Sequence, residues 1–269
     1  MKKTILHCSD LHFGAPHARQ RADAILAEIE RHQPTLIAIS GDLTQRARTE
    51  QFRQARAFLD RIHAPFIVVP GNHDVPLWNV FARLFLSLQK YRRWITRDLN
   101  PLYTDEQLAV LGLDTTRSFT FKDGRVDHDA RRVVRARLGA LPPFLCKVIV
   151  AHHPFALPPG FEHEQTVGGM RAALKLFEEC GVEMALTGHL HQSYIAHSRD
   201  CDPQAKRDIL LIQTGTAASL RGRGSERLKN SFNLIAVTEN EITVTPFVSS
   251  DESDAFAAGQ TFTTVRASL

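Results

Sequence analysis

The sequence predicts an α/β (α+β) fold, and three observations carry that prediction. Five short apolar runs each end on Asp, Asn or His at a turn marked by Gly or Pro. The first three runs alternate with stretches of helical spacing, the pattern of parallel strands joined by right-handed crossovers. Beyond Tyr194 the chain divides into short runs that read as antiparallel strands.

The first run, Ile5-Leu6-His7-Cys8-Ser9, leads into Asp10-Leu11-His12. Between 17 and 32, Ala22, Ile25, Leu26 and Ile29 recur at helical spacing, and Pro34 closes the helix. The run at 36–40 ends on Gly41-Asp42. A second helix is expected at about 49–62, with Phe52, Ala55, Phe58 and Leu59 on one face. The third run, at 66–70, delivers Gly71-Asn72-His73-Asp74 to its C-terminal end, the edge where open α/β sheets bind ligands.

Residues 75–100 break this rhythm. Trp78, Val80, Phe81, Leu84, Phe85, Leu88, Tyr91 and Trp94 make an apolar helical segment studded with Arg83, Lys90, Arg92, Arg93 and Arg97. It is expected as a helical cap insertion over the cleft; an edge helix with solvated arginines and a helix skimming a membrane are the alternatives. Strand patterns follow at 102–103, 108–113 and 119–121, then a helix at about 127–138 with Arg131, Arg132, Arg135 and Arg137 on a solvated face. The run at 148–151 meets His152-His153-Pro154, and a Pro/Gly-rich loop reaches to Gly169. A helix at 170–180 precedes the run at 184–187, which meets Gly188-His189-Leu190-His191. Short antiparallel strands are expected at 194–197, 209–213, 231–238 and 242–247. With no internal repeat and no linker, one domain over 1–250 is expected, followed by a polar tail at 251–269.

The 269 residues suffice for one large domain with a sizeable core, and 43% hydrophobic with 23% charged residues is ordinary for a globular chain. The net charge of +4 suits a phosphate-bearing substrate but is too small to establish one. Cys8, Cys146, Cys180 and Cys201 have no C-x-x-C spacing, so reduced thiols and a cytoplasmic setting are expected. The first strand begins at once, so no cleavable signal peptide is expected, and no apolar run approaches the length of a membrane span.

Asp10 and His12 are two residues apart, so on an extended strand end their side chains point the same way, and His189 and His191 share that spacing. Carboxylate, amide and imidazole donors suit Mn, Fe, Zn or Co rather than Ca or an all-oxygen Mg site. Seven candidates, Asp10, His12, Asp42, Asn72, His152, His189 and His191, exceed the needs of one ion and point to two, with Asp42 as the natural bridge.

Asp-x-His, Gly-Asp, Gly-Asn-His-Asp, a strand-end His and Gly-His-x-His, in this order from Asp10 to His191, resemble the calcineurin-like metallophosphoesterase superfamily. Within it, the chain looks like the branch of small bacterial phosphodiesterases acting on cyclic nucleotides or glycerophosphodiesters. The resemblance implies a four-layer αββα sandwich of two mixed sheets flanked by helices, with a dinuclear site at the strand C-terminal rim. It implies one metal on Asp10, His12, Asp42 and His191 and another on Asp42, Asn72, His152 and His189. The ions would be Mn2+, Fe2+ or Fe3+, or Zn2+. It makes His73 the histidine that contacts the phosphate or the leaving oxygen, with Asp74 orienting it. The expected chemistry is in-line attack by a metal-bridging hydroxide, formed as the water pKa falls to about 7, with His73 donating a proton or neutralising charge.

His153 reads either as a pocket residue that binds substrate or as a structural one. Arg221, Arg223 and Arg227 form a small, mobile, basic loop, read either as a clamp on distal phosphate or sugar oxygens or as a solvated hairpin. His7, His17, His32, His63, His128, His163 and His197 read as structural, and Cys8 as a core thiol. The expected partner is a small phosphodiester or nucleotide-type substrate rather than nucleic acid. Peripheral membrane contact through 75–94 and a homodimer, common in the resembling branch, are further expectations. A pyrophosphatase of nucleotide- or lipid-linked sugars, of the UDP-diacylglucosamine type, is an alternative motivated by that apolar segment. A DNA nuclease of the same superfamily, which would share these motifs, is a further alternative, although such nucleases usually carry a longer capping domain and no basic-aromatic groove signature is seen in this sequence. A metal-free interaction scaffold is disfavoured by the intact ligand set.

Overall fold

The computed structural model describes residues 2–16, 18–76, 87–117, 122–249 and 255–266. Three parallel strands open the chain, β1 (Lys3–Cys8), β2 (Leu36–Ile39) and β3 (Phe66–Val68), linked by α1 (Ala18–His32) and α2 (Thr49–Leu59). A short helix, α3 (Gln89–Trp94), precedes the antiparallel pair β4 (Leu102–Thr104) and β5 (Leu108–Gly112). Next come α4 (His128–Leu138), β6 (Cys146–Val150), α5 (Met170–Glu179) and β7 (Val182–Thr187). The chain continues with β8 (Tyr194–His197), the short helix α6 (Ser198–Cys201), β9 (Leu210–Gln213), β10 (Ser231–Val237), β11 (Glu241–Ser249), β12 (Phe256–Ala258) and β13 (Phe262–Val265). One mixed sheet runs β12-β11-β10-β1-β2-β3 with β13 beside β11; the other runs β4-β5-β6-β7-β9-β8.

Side-chain alternation builds the layers. In β1, Ile5 joins the cluster between the sheets, with Val69, Val148, Met184 and Ile235, while Leu6 and Cys8 face Ile25, Phe52 and Phe58 on the helical side. In β6, Val148 and Val150 face inward and Ile149 faces Phe177 and Leu138. Strands buried on both faces read as unbroken apolar runs, which is why these were legible. The result is helix, sheet, sheet, helix, as the family resemblance implies.

Lys147 is 3% exposed, and its ammonium donates to the carbonyls of Leu138, Leu141 and Cys180, each at 2.9 Å. It gathers the C-terminal ends of α4 and α5, where a cation meets unsatisfied carbonyls and the negative end of the helix dipole.

The expected tail is corrected for 255–266. Phe256 to Ala258 and Phe262 to Val265 pair with β11, and Arg266 donates to both carboxylate oxygens of Glu183 in β7, at 2.9 and 2.7 Å. These strands are only three and four residues long and none of their residues is fully buried, so they carried no sustained apolar pattern. Of the cap insertion, 77–86 lies outside the described residues, and with it Trp78, Val80, Phe81, Arg83, Leu84 and Phe85; so do His17 and the strand expected at 119–121. In the described part, Leu88, Tyr91, Ile95 and Leu99 join the core of α1 and α2, and Tyr91 meets Phe52 edge-on. Among the described residues no helix is long and apolar enough to cross a membrane.

Candidate metal centre

The C-terminal ends of β1, β2 and β3 in one sheet meet those of β6 and β7 in the other. Asp10 and His12 follow β1, Asp42 follows β2, and a 3-10 turn Asn72–Asp74 follows β3. His152 follows β6; His189 and His191 follow β7. Backbone bonds knit the rim: the Asp10 N–H donates to Gly41 at 3.0 Å, and the His12 N–H to Asp42 at 3.0 Å. Across the sheets, the His189 N–H donates to Asp10 Oδ2 at 2.9 Å.

The local backbone is not the extended one expected. Asp10, His12, Asp42, His189 and His191 all have positive φ, from 49° to 74°. Left-handed residues curl each strand end inward, at a cost of about 1 kcal/mol or more apiece that the surrounding rim must offset. Asp and His are among the residues enriched in this region, which is the one sequence signal for it. Two glycines make room: a Cβ at Gly71 would overlap the Asp42 carboxylate, and one at Gly188 would overlap Ser9 Oγ and Asp10 Oδ2.

Two groups of donor atoms result. In one, Asp10 Oδ1 is 2.9 Å from His191 Nε2 and 3.4 Å from His12 Nε2, and the two Nε2 atoms are 3.1 Å apart. In the other, Asn72 Oδ1 is 3.0 Å from both His152 Nε2 and His189 Nδ1, which are 3.1 Å apart. Asp42 Oδ2 faces both groups, 3.8 Å from His12 Nε2 and 3.5 Å from His152 Nε2. Atoms that share one ion at about 2.1 Å stand about 3.0–3.4 Å apart, so these spacings fit a cation in each group. The ring orientations fit as well. His152 Nδ1 donates to the Ser40 carbonyl at 2.8 Å and His191 Nδ1 to the Arg221 carbonyl at 2.9 Å, which turns both Nε2 lone pairs inward.

The charges are set for binding. Burial alone would raise the Asp10 carboxyl, but His191 and His12 hold it well below the usual carboxylate range. Burial opposes the Asp42 charge too, yet His152, His73 and His12 hold its pKa down. Burial pushes His12 down to about 4 and lowers His189, so both rings are neutral and can ligate.

His73 and Asp74 part company. His73 Nδ1 lies 2.7 Å from the Gln45 carbonyl, and its backbone N–H donates to Asp42 Oδ1 at 2.8 Å. The Asp74 carboxylate accepts instead from the N–H groups of Gly71, Leu43 and Thr44 and from Thr44 Oγ1, at 2.9 to 3.1 Å. The expectation that Asp74 orients the His73 ring is therefore corrected, since adjacent side chains on a 3-10 turn point about a third of a turn apart. Gln45 orients the ring; Asp74 fastens the turn to the loop after β2.

A cleft of about 310 Å³ opens over the centre, lined by Asp42, Asn72, His73, His189 and His191 with Lys122, Glu164, Arg221 and Arg223. Lys122 and Glu164 were not singled out from the sequence, where nothing marks them. Glu164 accepts from Lys122 at 3.0 Å and from Arg223 at 2.9 Å, and the Arg223 guanidinium also lies over Phe161. His153, expected as a substrate contact, does not line the cleft. It is buried beside His152 and His189, with Nδ1 2.7 Å from Thr115 Oγ1. The loop carrying Arg221 and Arg223 is braced rather than mobile. Buried Glu226 accepts from the Ser193 N–H and Ser231 Oγ, and the Asn230 amide donates to the Ser219 carbonyl. Arg227 is exposed and off the cleft.

The family model described as calcineurin-like phosphoesterase matches residues 3–193. A probable cyclic nucleotide phosphodiesterase of Synechococcus sp. is 26% identical over 183 residues, 65% of this chain and 65% of that protein. A probable glycerophosphodiester phosphodiesterase of Arcobacter nitrofigilis is 23% identical over 169 residues, 60% of this chain and 58% of that protein. The chain thus spans less than two thirds of either relative. A purple acid phosphatase from yellow lupin superposes over 98% of this chain and 53% of its own, with a TM-score of 0.73 and 14% identity, a likeness of fold.

Proposed function

Because this chain belongs to the calcineurin-like phosphoesterase family, we propose that it is a metal-dependent hydrolase of a small phosphodiester. The observation that carries this reading is the shared carboxylate: Asp42 Oδ2 faces His12 at 3.8 Å and His152 at 3.5 Å, between two donor groups that open on one cleft. Asp10, His12, Asp42 and His191 would hold one ion, and Asp42, Asn72, His152 and His189 a second. The mixed N/O donors suit Mn2+, Fe2+ or Zn2+. When bound, the ions supply Lewis acidity, drawing charge from phosphoryl oxygens and making water a nucleophile near neutral pH.

The chain's own groups orient this chemistry. The carbonyls of Ser40 and Arg221 hold His152 and His191 in their ligating tautomer. Asp42 Oδ1 fixes the turn that carries His73, so the His73 ring faces the same cleft as the ligands. Lys122, Arg221 and Arg223 make that cleft attractive to an anionic ester. The names borne by the Synechococcus and Arcobacter proteins support a diester substrate, of the cyclic nucleotide or glycerophosphodiester kind. The four unpaired cysteines support a reducing, cytoplasmic setting.

The test is a substrate panel on metal-loaded and chelated protein: bis-p-nitrophenyl phosphate, p-nitrophenyl phosphate, a cyclic nucleotide and a glycerophosphodiester. Hydrolysis of the diesters, lost on chelation and restored by Mn2+, is expected. A preference for the monoester would overturn the diesterase reading.

A further inference from the structure

Arg221 touches the centre twice. Its carbonyl accepts from His191 Nδ1 at 2.9 Å, and its guanidinium lies 3.2 Å from His73 Nε2. A guanidinium only donates and keeps its protons, so His73 Nε2 is the acceptor. At the other side of the ring, the Gln45 carbonyl, 2.7 Å from Nδ1, only accepts, so Nδ1 carries the proton. Both contacts require one tautomer, with the proton on Nδ1 and the lone pair of Nε2 on Arg221. A ring held this way has no proton to offer a leaving oxygen.

We propose that Arg221 is the catalytic residue that meets the charge developing on the leaving oxygen and the phosphoryl group, and that His73 is the positioning residue that holds it. The proposal rests on the diesterase reading of the same site. Three further observations support it. Arg221 lines the cleft with Asp42, Asn72 and His191, and among the described residues no carboxylate lies within ion-pair distance of it. Its neighbours Arg223 and Lys122 are both committed to Glu164, at 2.9 and 3.0 Å. Its base is fixed, because the Arg223 N–H donates to the His191 carbonyl at 2.9 Å and His191 donates back to Arg221. The guanidinium fork keeps N–H groups free beyond the one facing His73.

In the hydrolysis, the oxygen of water forms a bond to phosphorus and its proton passes to solvent. The bond from phosphorus to the leaving oxygen breaks, and that oxygen keeps the electron pair. Arg221 meets the charge with hydrogen bonds and stays protonated; the departing alkoxide takes its proton from solvent water.

The experiment compares metal-replete wild type with Arg221→Gln, Arg221→Lys, His73→Ala and the double variant His73→Ala/Arg221→Gln. It reads metal content, affinity for inorganic phosphate by calorimetry, and hydrolysis of two diesters that differ only in leaving group, p-nitrophenolate or an alkoxide. Metal content is expected to hold in every variant. Phosphate affinity should fall about tenfold in Arg221→Gln, and kcat for the alkoxide about 10²- to 10³-fold, the usual loss of one transition-state donor. The loss should be smaller for p-nitrophenolate, and Arg221→Lys should recover part of it. Because His73 acts through Arg221, the double variant should be no slower than Arg221→Gln. Effects that multiply, or unchanged phosphate affinity, would overturn the proposal. A wild type that binds phosphate through Arg221 but cleaves no diester would sink the diesterase reading alone. A diesterase whose Arg221→Gln variant matches wild type would sink this inference alone.

Discussion

The backbone N–H of His189 donates to Oδ2 of Asp10 at 2.9 Å, so a residue after β7 is fastened to one after β1 across the two sheets. Asp10 therefore has two jobs, one electrostatic and one architectural, and two substitutions separate them. Asp10→Asn keeps an oxygen for His189 and loses the charge; it should lower metal occupancy at least tenfold while the chelated protein unfolds near the wild-type urea midpoint. Asp10→Ala should lose both, destabilising the chelated protein further by about 1 kcal/mol through the unmet N–H. Equal stability of the two variants would remove the architectural role.

Asp42 is the only carboxylate that faces both donor groups among the described residues. Asp42→Ala should leave less than one ion per chain, whereas His12→Ala, confined to one group, should leave about one. Metal analysis after equilibration with Mn2+ distinguishes them. Two ions retained by Asp42→Ala would end its assignment as the shared ligand.

How these groups meet was only partly legible. The continuous apolar runs of β1, β2, β6 and β7 revealed the strands because both faces are buried, and Asp, Asn and His at their ends revealed the rim. The conformation of the rim was not legible. A spacing of two between Asp10 and His12 predicted a shared face on an extended strand, yet left-handed φ at both is what turns them inward. The orienting carbonyls of Ser40, Gln45 and Arg221 left no trace either, since every residue carries a carbonyl. Arg221 and His73 are 148 positions apart and Lys122 and Glu164 are 42 apart, so only the folded chain pairs them.

Glu164 sets how much positive charge the cleft presents, because it neutralises part of both Lys122 and Arg223. Glu164→Gln should release both cations toward the cleft. Affinity for inorganic phosphate should rise several-fold at low ionic strength, and the gain should fade as salt screens it at a Debye length of about 8–10 Å. A weaker or salt-independent affinity would show that Glu164 holds the cations in place for the ligand instead.

His7 predicts how stability changes with acid. Its ring is fully buried, with Nε2 2.9 Å from Ser40 Oγ, and burial pushes its pKa down to about 3 against a weaker opposing pull from Asp10. In the unfolded chain the same ring titrates near 6.5. Above about pH 6.5 neither state binds the proton, and the contribution of His7 to stability does not vary. Between about 6.5 and 3 the unfolded state binds a proton that the folded state refuses, so stability falls as pH falls, by about 1.4 kcal/mol per unit for this one group. His7→Gln removes the titration while keeping a side-chain amide for Ser40. Urea denaturation of chelated protein at pH 7.0, 6.0 and 5.0 should therefore give a shallower loss for His7→Gln than for wild type, approaching that difference per unit. Identical slopes would mean that the folded chain accepts a proton on His7, and that the ring is less enclosed than its packing against Ser40 implies.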